Sequence, residues 1–494
     1  MGDIRLERYV LILLTILILG LFLRTYCLTC ESVWLDEGYS ILWAKQEPSE
    51  MIEAVSKDVH PPLYFLILHY WIGLFGDAEF TIRFLSVIFG FLAIFMMYRV
   101  GSLIFDRNVG IMSSLILSLS VFHIHYSQEL RGYSLIVLLT LVSMYFFIRL
   151  FQERKTSTSV LYILSSALLL YTHFFGLFVI AAQNIYLISE FMLSRKKPGP
   201  GFVRWLLLQA ILFVLFLPWF GFLARQAQVI QSGAFLGWLP APTILSLITT
   251  LFVYSAYFSE FALLWVLASS TFLVLMYLIL SANSLMVFKT LGLRPRRLDS
   301  DSVLLLVWLL TPIIIPFIIS QFFVPVYWTR FTMPASLAFY ILVARGIVNI
   351  STKGIRLSII SLVIALSLII TWGFYTTTDN EQWREVVGYI ETHGEQNDLV
   401  LINTWYCHIP FDYYFSRTDM IQRDVFPKWD MGVDKDNIKT LELAVRGYER
   451  VWIVLSHDGD SEGLITKTLS DDLSYSLSYQ KNYVGIELYL FGKI

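Results

Sequence analysis

Residues 9–40 read YVLILLTILILGLFLRTYCLTCESVWLDEGYS. The first half is an apolar run long enough to cross a hydrocarbon core of ~30 Å, which takes about 20 residues of helix. The second half turns polar and aromatic and ends on two adjacent carboxylates, Asp36 and Glu37, flanked by Trp34 and Tyr39. Aromatic rings of this type settle at the membrane–water interface. The stretch therefore reads as a span (Tyr9–Leu28) that delivers an acidic pair to one rim of a bilayer. In an extended or loop backbone the two carboxylates point to different sides. One can accept a proton from a hydroxyl while the other orients a neighbour; on residue type alone, a pair of solvated loop acids fits equally well. Arg5 and Arg8 precede the apolar run as in a signal peptide, but no small-residue cleavage site follows, so the run is expected to stay as the first helix.

The rest of the composition agrees. Of 494 residues, 56% are hydrophobic and 15% charged, against about 25% charged in soluble proteins. The fold class is a polytopic α-helical membrane protein. By the length criterion about eleven transmembrane helices are expected, over 9–28, 81–105, 109–122, 133–151, 159–171, 175–193, 202–220, 261–288, 303–322, 331–350 and 355–375. Lys and Arg gather in alternate loops: Arg107; Arg149, Arg154 and Lys155; Arg195, Lys196, Lys197 and Arg204; Lys289, Arg294, Arg296 and Arg297; Arg345, Lys353 and Arg356. These share a phase with Arg5 and Arg8, and the positive-inside rule makes that side cytoplasmic. The expected location is the plasma membrane, multi-pass, with the N-terminus inside. The net charge of -2 carries no sign of a nucleic-acid partner.

Two domains follow. Residues 1–375 form the transmembrane part, with a long first outer loop over 29–80. Residues 376–494 change to soluble-protein patterning, with a helix over 382–393 and strands over 399–403, 451–455 and 486–491. An odd number of spans places this small α/β domain on the extracytoplasmic side. Leu63–Phe75 and Pro242–Tyr257 are apolar but short and fit interfacial helices; residues 221–242 read as a loop. Cys27 and Cys30 form C-x-x-C at the end of the first span, as incidental thiols or as a disulfide on an oxidising side. No internal repeat is visible, which counts against a transporter built from inverted repeats.

Ionisable residues at span ends are the candidates for chemistry. On the outer side these are Asp36, Glu37, Asp58, His60, Arg83, His123, His125, Glu129, Arg131, His173 and Arg330. Pro61 and Pro62 hold His60 extended ahead of a helix start. The densest cluster is HIHYSQELRGY at 123–133, which ends on Tyr133. Glu129 and Arg131 either pair with each other or serve a sugar hydroxyl and a phosphate. Arg330, in YWTRF at 327–331, either reaches lipid headgroups or binds a lipid-linked phosphate, for which guanidinium geometry is suited. His173 fits a structural role or a ligand-facing one. No nucleotide-binding motif is present, so a lipid-borne donor is the natural activated substrate.

With these residues in place, the chain resembles the C-type (GT-C) membrane glycosyltransferases. The likeness is to family 39, the protein O-mannosyltransferase group with its bacterial and archaeal relatives, including aminoarabinose transferases. The carriers are WLDEGYS with Asp36-Glu37, DVHPPLYF with His60-Pro61-Pro62, HYSQELRGYSL at 125–135, and Arg330 before FTMPA. The resemblance implies a polyprenyl- or dolichyl-phosphate monosaccharide donor and inversion at the anomeric carbon. Asp36 would be the base, Glu37 its support, and Arg131 and Arg330 the charges facing the phosphate. His60, Arg83, Glu129, Tyr133 and His173 complete the expected substrate-binding set. The protein mannosyltransferases continue after HPP with Gly-Lys where this chain has Leu63-Tyr64. The acceptor is therefore open among a glycolipid, a cell-surface glycan and a protein. The residues assign no cofactor; whether a divalent metal assists, on His60, Glu129 and His173, stays open. A lipid-linked-sugar flippase is the alternative, and it would need charges buried mid-span.

Overall fold

The computed structural model describes residues 2–58, 60–153, 155–194, 200–231, 239–257, 300–418, 421–427, 433–457, 460 and 462–494. The expected eighth span (261–288) lies outside the described residues. The chain divides into two compact units, one of Met1–Leu28 with Gln46–Thr376, the other of Thr29–Lys45 with Thr377–Ile494. The first loop is thus split, and its acidic motif belongs to the second unit.

Among the described residues the first unit is built of helices. In chain order it contains α1 (Gly2–Thr25) and, after α2 of the other unit (Leu35–Ala44), α3 (Pro48–Ser56), α4 (Leu63–Phe75), α5 (Glu79–Ile104) and α6 (Arg107–Leu119). There follow α7 (Val121–Gln128), α8 (Tyr133–Gln152), α9 (Thr156–Leu170), α10 (Gly176–Ser194), α11 (Pro200–Gln231) and α12 (Ile244–Ala256). The unit closes with α13 (Ser300–Phe322), α14 (Met333–Val348) and α15 (Lys353–Thr376). Among the described residues seven helices are long and apolar enough to cross a membrane, or eight if α6 and α7 count as one bent span. The expected span at 261–288 is outside this count; the other differences from the expected eleven lie within the described residues. The run at 109–122 is interrupted: Ser120 accepts from the amide of His123 as an N-cap and the two helices meet at 58°. Helix α9, of 15 residues, belongs to the shorter apolar class. Residues 221–231, expected as loop, continue α11, which passes through Pro218 without ending.

Apolar contact supplies little preference between helices when the solvent is lipid, so polar side chains and small residues set the packing. Between α8, α9, α10 and α11 the Tyr162 hydroxyl donates to Gln183 Oε1 at 2.7 Å, and Gln183 Nε2 donates to Ser143 Oγ at 3.0 Å. Trp205 Nε1 donates to Asn184 Oδ1 at 2.9 Å. These groups are uncharged, and the network is interhelical glue.

The second unit is a five-stranded sheet in the order β2-β1-β3-β5-β4. The strands are β1 (Asp398–Asn403), β2 (Ile421–Val425), β3 (Arg450–Ser456), β4 (Tyr475–Tyr483) and β5 (Ile486–Lys493). β1 pairs in parallel with both β2 and β3, and β5 runs antiparallel to β3 and β4. Side chains alternate along β1, so Val400 and Ile402 enter one core with Trp383, Val387 and Phe411, while Leu399 and Leu401 enter the other with Leu441 and Leu469. Both faces are covered, and every residue of β1 is buried. The expected helix and three strands are present as α16 (Trp383–His393), β1, β3 and β5. β2 and β4 were not anticipated: both lie at sheet edges, β4 is exposed over most of its length, and β2 exposes Gln422 and Arg423.

At the carboxyl end of β3 the His457 ring bridges three groups. Nε2 lies 3.1 Å from Glu381, and Nδ1 lies 3.0 Å from Ser456 Oγ and 3.6 Å from the buried thiol of Cys407. The Cys407 and Glu381 hydrogen bonds hold the imidazolium up to a pKa of about 10. A raised folded-state value stabilises the fold fully below the unfolded value near 6.5, and the contribution disappears as pH rises through 10. Thermal unfolding of the purified protein is therefore expected to lose stability between pH 6.5 and 10 more steeply than that of His457→Gln, a difference read from parallel melts.

Candidate functional site

In the second unit α2 carries the acidic pair. Asp36 and Glu37 occupy its first turn, where carboxylates complement the helix dipole. This corrects the loop conformation expected from sequence: the backbone is helical, Glu37 is buried and Asp36 is part-buried. The segment is fixed to α16 and to α17 (His408–Tyr414). The amide of Val33 donates to the Tyr414 hydroxyl at 2.7 Å, and Ser32 Oγ donates to Glu385 at 2.8 Å. Arg384 Nη2 reaches the Glu31 carbonyl at 3.0 Å. Gly38 makes the close approach possible: a Cβ there would stand 3.1 Å from Ile409 Cγ2 and 3.4 Å from the Pro410 nitrogen.

In the first unit one end of the bundle gathers most of the remaining candidates. His60 Nδ1 lies 3.2 Å from Asp58 Oδ1, and the His60 ring centroid is 6.4 Å from that of His173. His173 lies 6.1 Å from Tyr133 and 5.4 Å from Phe331, again between centroids. Arg330 stands over Tyr133 at 5.8 Å and over Phe331 at 5.5 Å. The Tyr64 hydroxyl is 2.9 Å from Ser86 Oγ, which donates to the Arg131 carbonyl at 3.5 Å. The Leu63 amide donates to the Tyr171 carbonyl at 3.0 Å, tying the start of α4 to the α9–α10 turn. Gly132 lets this corner close, since its Cβ would sit 3.4 Å from Tyr64 and 3.6 Å from Thr172. Glu129 and Arg131 are both buried at this corner. Arg83 is buried too and donates to the Leu28 carbonyl at 3.0 Å, with Glu79 at 4.0 Å.

His173 sits in the turn between α9 and α10. Its pKa is pushed down to about 3, first by burial and then by His60, Arg330 and Arg131. Its Nδ1 accepts the Phe175 amide at 3.1 Å, so the neutral ring carries its proton on Nε2. The turn thus offers a neutral donor beside two guanidinium groups, a setting suited to an anionic ligand. His123 and His125 have packing roles: His123 Nε2 is 2.8 Å from Ser336 Oγ, and His125 stacks near Tyr257 at 5.0 Å. Among the described residues no three His, Cys, Asp or Glu side chains come together as metal ligands. Cys27 and Cys30 are disulfide-bonded, and Cys407 is free.

Arg330 also borders a cleft of about 350 Å³ whose walls include Tyr126, Pro242, Val253, Tyr257 and Trp328. Thr250 Oγ1, on α12, lies 3.1 Å from Thr329 Oγ1, and the Tyr254 hydroxyl donates to the Thr332 carbonyl at 2.9 Å. These bonds fix the segment that presents Arg330. Apolar and aromatic walls with a guanidinium at the edge accept a hydrocarbon chain that ends in an anion.

The sequence reading missed Arg24. It is 1% exposed in α1 and sits at the α6–α7 break. Nη1 donates to the Gly20 and Ser118 carbonyls at 3.1 and 3.2 Å, Nη2 to Leu117 at 3.1 Å, and Nε to Ser127 Oγ at 3.2 Å. Gly90 leaves it room: a Cβ there would come within 2.9 Å of Ser127 Cβ and 3.0 Å of Arg24 Nε. A basic residue at the far end of the first apolar run, at the opposite end from Arg5 and Arg8, was the available signal.

Residues 59–222 match the family described as dolichyl-phosphate-mannose-protein mannosyltransferase. No curated protein sequence matches the chain. Among solved structures, ArnT from Cupriavidus metallidurans in the apo state is similar with a TM-score of 0.62 at 12% identity, covering 98% of each chain. The same protein bound to undecaprenyl phosphate gives 0.60 at 12% identity, over 99% of this chain and 98% of that one. AglB, the oligosaccharyltransferase of Archaeoglobus fulgidus, in complex with an inhibitory peptide and a dolichol-phosphate gives 0.52 at 11% identity, over 98% of this chain and 74% of that one. The chain has the fold of the C-type membrane glycosyltransferases and is a multi-pass membrane protein.

Two outcomes test this geometry. Arg24→Leu strands the Leu117 and Ser118 carbonyls, at roughly 1–3 kcal/mol for each; unfolding in detergent is expected to fall accordingly, and Arg24→Lys, without the guanidinium fork, restores little of it. Gly38→Val is expected to displace α2 and lower activity while the transmembrane unit keeps its melting behaviour, as read by proteolysis of 29–45 against tryptophan fluorescence.

Proposed function

We propose that this protein is an inverting glycosyltransferase that moves one monosaccharide from a polyprenyl- or dolichyl-phosphate carrier to an acceptor hydroxyl on the extracytoplasmic side of the membrane. The observation that carries the reading is the meeting of Arg131, Arg330, Tyr133, His173 and His60 at one end of the bundle, with Arg330 at the edge of an apolar cleft. A cluster of that kind suits a phosphate whose hydrocarbon tail lies in apolar surroundings. The solved structures of similar fold include one with undecaprenyl phosphate and one with a dolichol-phosphate, which supports a lipid phosphate as the donor's anchor.

The acceptor oxygen attacks the anomeric carbon from the face opposite the phosphate. Its proton passes to Asp36 as the new C–O bond forms, and the bond from the anomeric carbon to the phosphate oxygen breaks with both electrons. The lipid phosphate leaves with an added negative charge. Arg131 and Arg330 counter that charge as it develops, which lowers the barrier because the guanidinium groups are already in place. Neutral His173 donates from Nε2 to the phosphate or a sugar hydroxyl. Glu37, buried in the same helical turn, supports the base; His60, Arg83, Glu129 and Tyr133 bind the substrates. The acceptor class is a glycolipid, a cell-surface glycan or a protein. The disulfide at Cys27 and Cys30 supports the outward placement, since such bonds persist in oxidising compartments.

The test is transfer by the purified protein in liposomes carrying polyprenyl-phosphate sugar, with products read by mass spectrometry. Asp36→Asn is expected to cut turnover by about 10²–10⁴, the usual reach of a general base, with folding unchanged. Arg330→Met should cost about 10²–10³ through the loss of charge stabilisation. Transfer by Asp36→Asn at the wild-type rate would remove the base from the mechanism. Movement of lipid-linked sugar across the bilayer with no glycosyl product would replace the enzyme with a flippase.

A further inference from the structure

At the other ends of the same helices lies a second cavity, of about 610 Å³, that the transfer reaction does not use. It is bounded by the end of α8, the start of α9 and the first turns of α11, with Leu150, Phe151, Ser159, Arg204, Trp205 and Ile211 in its lining. Helix α8 runs 20 residues from Tyr133, at the proposed donor site, to Gln152 here, which is about 30 Å of helix.

The polar side of this cavity is built. Arg204 Nε donates to Ser159 Oγ at 3.2 Å, and Nη2 donates to the Lys155 carbonyl at 2.9 Å and also to Ser159 Oγ. The guanidinium is thereby held across the gap between α9 and α11. Glu153 takes Arg149 Nε at 3.0 Å and Lys155 Nζ at 3.1 Å. Arg149 and Lys155 share this one carboxylate, and Arg204 is bonded to the neighbouring Lys155 carbonyl, so these three cations stand against one acid. The apolar side is open: Phe151, Leu207 and Ile211 are 51%, 60% and 46% exposed. In a multi-pass membrane protein such side chains meet hydrocarbon.

We propose that this cavity binds an anionic phospholipid, its phosphate on Arg204 and Lys155 and one acyl chain along the Leu207–Ile211 face of α11. An Arg fork held by neighbouring acceptors suits a phosphate diester, and basic residues near a membrane surface favour anionic headgroups. The walls accept the acyl chain. A bound lipid joins α8, α9 and α11 at one end, and α8 and α9 are the helices whose opposite ends present Tyr133 and the His173 turn. The inference rests on the membrane embedding alone and stands apart from the proposed reaction.

The experiment places the full-length protein in nanodiscs of phosphatidylcholine with or without phosphatidylglycerol. It reads thermal unfolding and the lipid retained on release into the mass spectrometer. Phosphatidylglycerol is expected to be retained over phosphatidylcholine and to raise the unfolding temperature. That preference should fall about fivefold for each cation removed, roughly what a Lys or Arg is worth near an anionic surface, in Lys155→Ala and in Arg204→Ala. Lys155 is largely exposed, so its variant folds even where Arg204→Ala does not. Equal gain from phosphatidylglycerol in wild type and Lys155→Ala would overturn the site, as would equal retention of phosphatidylcholine. The same shift from inorganic phosphate in phosphatidylcholine discs would make it a free-anion site and overturn the lipid assignment.

Discussion

A backbone carbonyl in a lipid environment has no water to turn to, and that constraint explains the most consequential feature of the first unit. Interrupting the run at 109–122 frees the Leu117 and Ser118 carbonyls deep in the bundle. Arg24 supplies both with donors and holds Ser127 as well. With those groups satisfied, α7 turns 58° from α6 and carries the chain to the Glu129–Tyr133 corner. Gln128 Nε2 adds a bond to the Tyr26 carbonyl at 2.8 Å, so the end of α1 and the end of α7 are fixed together. A straight span would place residues 129–133 elsewhere, and the cluster with His60, His173 and Arg330 would not assemble.

Electrostatics at that cluster follows from the same arrangement. Burial first, and then His60, Arg330 and Arg131, hold the His173 pKa down, so its ring stays neutral. Tyr133 and Phe331 give Arg330 aromatic faces at 5.8 and 5.5 Å. The carboxylates behave differently: Asp36 and Glu37 lie in a helix of the second unit, locked by Gly38 and by hydrogen bonds from Ser32 and Val33.

Much of this was legible in residue order. Long apolar runs fix membrane spans almost regardless of context, because the alternative is exposed hydrocarbon in water. The helix at 383–393 and strands β1, β3 and β5 are buried elements, and burial leaves a periodic trace. The edge strands β2 and β4 have polar faces and left no such trace. The continuation of α11 past residue 220 was hidden by its glutamines. The candidate residues were found by type and position at span ends, whereas Arg24 and Gly38 were passed over. Their importance lies in what stands opposite them, and nothing in the local sequence records that.

By itself the sequence determined that the chain crosses a membrane several times, that a small α/β unit follows, and which ionisable residues sit at span ends, since each of these depends on local hydrophobicity and charge. Tertiary structure decided three other things. It turned Asp36 and Glu37 into helical residues, it assigned residues 29–45 to the second unit, and it brought His60, Tyr133, His173 and Arg330 together across more than 250 residues of chain. Those outcomes depend on which carbonyls find donors and where the absence of a side chain lets backbones approach, quantities that exist only once the helices are packed.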